Sequence, residues 1–105
     1  MALADMKKML DQMREMQEQL QQKLSQMKVE ASAGGGMVTV KMNGHKQLLD
    51  VTIDPDIAAG GDRELLQDLV RAAVNEAGRL VDAELQQQMM SLAGPLAGLK
   101  LPGIF

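Results

Sequence analysis

The chain has 105 residues, a net charge of −3 and no cysteine, which leaves room for one domain and excludes disulfides and thiolate chemistry. Its 46% apolar content includes ten methionines but a single aromatic, Phe105, so the core must be aliphatic and thioether. No run approaches the roughly 18 apolar residues of a membrane span, and Asp5, Lys7 and Lys8 interrupt any signal-peptide layout, so no membrane partner and a cytoplasmic location are expected.

From Leu3 to Met27 the apolar residues follow a heptad. Leu3, Leu10, Gln17 and Leu24 fall at a, and Met6, Met13, Leu20 and Met27 at d, with no Gly or Pro inside. The spacing predicts a helix about 37 Å long at 1.5 Å per residue. It either projects as a coiled-coil-like arm or lies on a sheet as an ordinary amphipathic helix. Position e holds Lys7, Arg14, Gln21 and Lys28, with Lys8 beside the first and Lys23 at g; Asp11 and Glu18 fall at b, read as off that edge. Such a basic flank is a solvated edge, a seam for a partner helix, or a stripe that tracks phosphates.

Beyond Met27 the period changes to two. Three antiparallel strands are predicted, at roughly 27–33, 36–43 and 46–54. Val29, Ala31 and Ala33 mark the first, Val38, Val40 and Met42 the second, and Leu49, Val51 and Ile53 the third. Gly34-Gly35-Gly36 turns the first strand into the second. Asn43-Gly44 is expected to form a tight two-residue hairpin with φ > 0. Pro55 should stop the third strand, and residues 56–61 form a short connection. Asp62 sits where an N-cap belongs, and a second long helix is predicted over 62–91, ended by Gly94-Pro95. Leu66, Leu69, Val70, Ala73, Ala77, Leu80 and Val81 form its broad apolar face. Residues 92–105 are an apolar tail. The fold class is therefore α+β, a single two-layer domain with residues 1–26 as a helical arm and 27–55 as the sheet.

A catalytic site is hard to assemble from these residues. His45 is the only histidine and lies beside a turn, there are three serines, and no zinc spacing exists. Asp50 and Asp54 share a strand face and Asp56 follows Pro55, but strand-end solvation and turn formation account for them. No enzyme activity, cofactor or small-molecule substrate is expected. Without aromatics in the body, base stacking on single strands is excluded as a recognition mode. Duplex DNA held through its phosphates remains open, as does an adaptor role built on Met-rich helical faces and the apolar tail.

The Met-rich first helix, GGGMVTVKMNG, LLDVTIDP, DLVRAAVNEA at Asp68–Ala77 and the closing LPGIF together resemble the YbaB/EbfC family of bacterial nucleoid-associated proteins, over essentially the whole chain. The resemblance implies a tweezer-like homodimer in which the first and last long helices project from a body of sheets and helices. It implies double-stranded DNA as partner, a place in the nucleoid, and a role in chromosome organisation and gene expression. Placed by charge, the implied DNA contacts are Lys7, Lys8, Arg14, Lys23 and Lys28, with Arg71 and Arg79 on the second helix; those two arginines have Asp68 and Glu76 at helical pairing distance.

Overall fold

The structure, a computed structural model, describes residues 2–97. The chain runs α1 (Ala2–Gln26), β1 (Lys28–Ala33), β2 (Val38–Asn43), β3 (Leu48–Ile53), α2 (Pro55–Ala59) and α3 (Arg63–Ala97). The three strands form one antiparallel sheet in the order β1-β2-β3, and α3 packs across β1 and β2. This is the expected α+β, two-layer arrangement.

The core follows from strand register and helix period. Ala31 lies opposite Val40, Val29 opposite Met42 and Ala33 opposite Val38, so these side chains share one face of the sheet. Ala73, Ala77 and Val81, four residues apart on α3, meet that face. Val38, Val40, Ala73, Ala77 and Val81 are fully buried, and the alanines let the helix backbone approach closely. Leu66, Leu69, Val70 and Leu80 pack around this centre, half-buried. The apolar face continues onto β3, where Val51 pairs with Val40 and Ile53 with Val38. Yet α3 does not reach it, and Leu48, Leu49 and Val51 remain 41–47% exposed.

The turns depart from expectation at one place. Gly34, Gly35 and Gly36 all take positive φ, as backbone geometry requires between β1 and β2. The β2–β3 turn, however, is not a two-residue hairpin. Its left-handed residue is Lys46, at φ 61°, and Gly44 does not adopt positive φ. The buried Asn43 side chain builds the turn instead. Its Oδ1 accepts from the backbone N–H of His45 at 2.9 Å and of Gln47 at 3.0 Å, and its Nδ2 donates to Gln47 Oε1 at 2.9 Å. The longer turn brings a register shift. Leu48 pairs with Met42 while Asp50 pairs with Lys41, leaving Leu49 as a bulged extra residue. The expected alternation of Leu49, Val51 and Ile53 therefore holds in the ladder only for the last two.

Helix starts fall where side-chain chemistry places them. Asp54 Oδ1 accepts from Asp56 N–H at 2.8 Å with Pro55 opening α2, and Asp62 Oδ1 accepts from Leu65 N–H at 3.0 Å ahead of α3. The end of α3 differs from its expected stop at residue 91, since the helix runs through Gly94-Pro95 to Ala97. A proline removes a single helical donor, which kinks or weakens a helix without always ending it. The last eight residues of the expected apolar tail lie outside the described residues.

Candidate nucleic-acid interface

α1 holds 25 residues without glycine, proline or a β-branched side chain, so its sequence favours helix at nearly every position. None of them is buried. Of the two arrangements its heptad allowed, the structure adopts the projecting arm. Leu3, Met6, Met9, Leu10, Met13, Met16 and Leu20 are all more than half exposed. The arm joins the body at its C-terminal turn, where Gly44 N–H donates to the Leu24 carbonyl at 2.8 Å and Leu24 and Met27 are half-buried. Gly44 is required there by space: a Cβ would stand 2.7 Å from the Leu24 carbonyl oxygen and 2.9 Å from its Cα.

Lys7, Lys8, Arg14 and Lys23 are exposed along α1, over about 24 Å from first to last at helical rise. Among the described residues none of them, nor Lys28, forms an ion pair. Lys28 is not on the helix, as its heptad position had implied. α1 ends at Gln26, and Lys28 opens β1 opposite Asn43, exposed to solvent. The acids also sit closer than expected. Arg14 and Glu18 line one shallow depression together with Gln17, Gln21 and Gln22. Residues four apart are neighbours on a helix, so Asp11 and Glu18 border Lys7 and Arg14 and the flank is mixed in sign.

The two arginines of α3 are engaged within their own helix. Arg71 Nη2 donates to Asp68 Oδ1 at 2.8 Å. Arg79 grips Glu76 with both Nε (3.0 Å) and Nη2 (2.5 Å). The hydrogen bond to Arg79 holds the Glu76 carboxyl below its ordinary range, and the same bond raises Arg79. A third pair had no local signal in the sequence. Lys46 reaches Asp82 at 2.9 Å across 36 residues, tying the β2–β3 turn to α3.

His45 is exposed on its turn. Asp50 lies opposite Lys41, and Asp54 caps α2. Among the described residues no three His, Asp or Glu side chains gather as metal ligands, and no helix is long and apolar enough to cross a membrane. The feature that stands out is an exposed arm with unpaired cations on a small body.

Comparison with known proteins gives this arrangement a lineage. A nucleoid-associated protein of Koribacter versatilis is 56% identical over 86 residues, 82% of each chain. One of Acidobacterium capsulatum is 52% identical over 106 aligned residues, 95% of each chain. The solved structure of an uncharacterized Helicobacter pylori protein superposes with a TM-score of 0.68 at 28% identity, covering 83% of this chain and 91% of that one. The model of the YbaB/EbfC DNA-binding family matches residues 1–96, and the chain belongs to that family.

Proposed function

We propose that this protein binds double-stranded DNA as a homodimer, without catalysis, and acts in the nucleoid on chromosome organisation and gene expression. The observation that carries the reading is the set of exposed cations Lys7, Lys8, Arg14 and Lys23, which form no ion pair among the described residues, on a helix with no buried residue, with Lys28 at its base. Arg71 and Arg79 are secondary, because each would have to leave a carboxylate to reach a phosphate. The location and partner are supported by relatives named nucleoid-associated proteins.

The homodimer is supported by surface. The chain exposes 8521 Å² and has a radius of gyration of 20.4 Å. A compact monomer of 11.4 kDa exposes about 5,800 Å², with a radius near 13 Å. The excess is more than one partner's share of a standard interface, roughly 800 Å². A second copy seated on the uncovered β3 face, around Leu48, Leu49 and Val51, would present two arms to the two sides of a duplex.

The test is binding to a random-sequence duplex between 50 and 200 mM salt, beside a Lys7→Glu, Arg14→Glu, Lys28→Glu variant, with size measured to confirm assembly. Log affinity should fall linearly with log salt at a slope of about −0.9 per phosphate, which for six contacts is about a 10³-fold loss over that range. The variant should lose binding while keeping its size and fold. The exposed Leu and Met stripe of α1 from Leu3 to Leu20 favours a second reading, a protein-interaction adaptor. Failure of the wild-type protein to bind duplex at 50 mM salt would sink the first reading and leave the second.

A further inference from the structure

The sulfur of this chain is all thioether, ten methionines and no cysteine, so a two-electron oxidant meets no thiol first. Four of the methionines form a row along one side of α1. Met6, Met9, Met13 and Met16 are spaced three, four and three apart, and they are 57–70% exposed. At that spacing each is the next one's neighbour on the helix surface, and Met16 continues the row to Leu20. α1 has no buried residue, and its backbone is tied to the body by the Gly44–Leu24 hydrogen bond at its last turns. Its helicity over the first four turns therefore depends on propensity and on these neighbour contacts, not on packing.

We propose that the methionine row of α1 is a reversible sulfoxidation site, and that its oxidation by a peroxide melts the arm. The thioether lone pair attacks one peroxide oxygen; an S–O bond forms and the O–O bond breaks. The departing hydroxide takes the proton of the transferred oxygen and leaves as water, so sulfur loses two electrons and the peroxide gains them. The product is polar, and it withdraws from the apolar row into water. Each contact along the row is then lost, and Lys7, Lys8 and Arg14 lose the rigid helix that fixes their spacing. The core is spared, because Met42 is only 3% exposed within it; Met37, 36% exposed, lies on the β1–β2 turn outside that core. Methionine sulfoxide reductases reverse the change. This inference does not rest on DNA binding, and its test does not use DNA.

The full chain is treated with hydrogen peroxide and followed by site-resolved mass spectrometry and far-UV circular dichroism. Met6, Met9, Met13 and Met16 should oxidise at least about tenfold faster than Met42. Ellipticity should fall by a share no larger than the 25 residues of α1, and reductase treatment should restore it. Met89 and Met90, 70% and 67% exposed on α3, oxidise as well. A Met6→Leu, Met9→Leu, Met13→Leu, Met16→Leu variant separates them: leucine keeps the row apolar and helical but accepts no oxygen, so this variant should keep its ellipticity at the same dose. Oxidation of the four no faster than Met42, full sulfoxidation without loss of helix, or equal loss in the leucine variant would each overturn the proposal.

Discussion

Substituting Gly44 by alanine tests how the arm is joined to the body. The new Cβ would lie 2.7 Å from the Leu24 carbonyl oxygen, 2.9 Å from Leu24 Cα and 3.0 Å from its Cδ2. Ordinary contact begins near 3.4 Å, so backbone of α1 must retreat by several tenths of an ångström or more. Gly44 is not in the left-handed region, so the penalty is steric and not conformational. The retreat breaks the 2.8 Å bond from Gly44 N–H to Leu24, worth about 1 kcal/mol. Crowding against fixed backbone costs about 1–3 kcal/mol more. Because α1 can swing outward, the strain is relieved by displacing the arm. A net cost of about 2 kcal/mol is expected, which for a domain of this size lowers Tm by roughly 8–16 °C. Native-state hydrogen exchange locates the damage: the amide of residue 44 should lose more protection than those of Val38 and Val40, which fall only by the global loss. If residue 44 stays protected and Tm moves by less than about 1 °C, the close approach of turn and arm is wrong.

Two further outcomes follow from the charges. Arg79→Gln should return the Glu76 carboxyl, held low by its Arg79 hydrogen bond, to the ordinary value near 4.5, read by NMR titration. The stabilisation linked to that depressed value is present above about pH 4.5 and disappears as pH falls through the lower folded value, so wild type and variant should converge in stability at the acid end. Asp11→Asn with Glu18→Gln should tighten duplex binding if the α1 cations hold phosphates. A carboxylate about 8 Å from a phosphate repels it by about 0.5 kcal/mol in water, screened to about 0.2 at physiological salt, so four acids in a dimer give roughly a fourfold gain. Unchanged affinity would show that the row does not face the phosphates.

What the sequence revealed was whatever depends on local pattern. The heptad from Leu3 to Met27 located an arm that ends at Gln26, and alternation around Val38–Met42 located the central strand. Asp62 as N-cap and the pairs Arg71–Asp68 and Arg79–Glu76 were readable because their partners lie three residues away. What stayed hidden depends on contacts between distant segments. Asn43-Gly44 carried the signature of a tight hairpin, yet glycine is there because Leu24 passes against it, and Asn43 is there for its three side-chain bonds. The bulge at Leu49 follows from that longer turn. The Lys46–Asp82 pair spans 36 residues, and no periodicity could announce it. Assigning Lys28 to the basic flank extended a helical count two residues past the helix, while placing Asp11 and Glu18 off the edge overlooked that i and i+4 are neighbours.

The small core explains why arm and body must be considered together. Among the described residues seven apolar ones are buried, three of them alanines, which is little to offset the conformational entropy of ordering a chain this long. A lone copy would fold marginally, with the β3 residues Leu48, Leu49 and Val51 bare. In the proposed homodimer the missing burial comes from the partner, so folding free energy depends on protein concentration. Duplex binding then depends on it too, because one arm brings four cations, with Lys28 at its base a fifth, and two copies bring twice as many. Halving the number of phosphates held halves the slope of log affinity against log salt. A net charge of −3 per chain is compatible with this, since at physiological salt the Debye length is about 8 Å, short against the roughly 37 Å of a 25-residue helix. Phosphates on the arm respond to the charges within that length, and α1 carries four of each sign, Lys7, Lys8, Arg14 and Lys23 against Asp5, Asp11, Glu15 and Glu18, so it is their placement along the helix that decides.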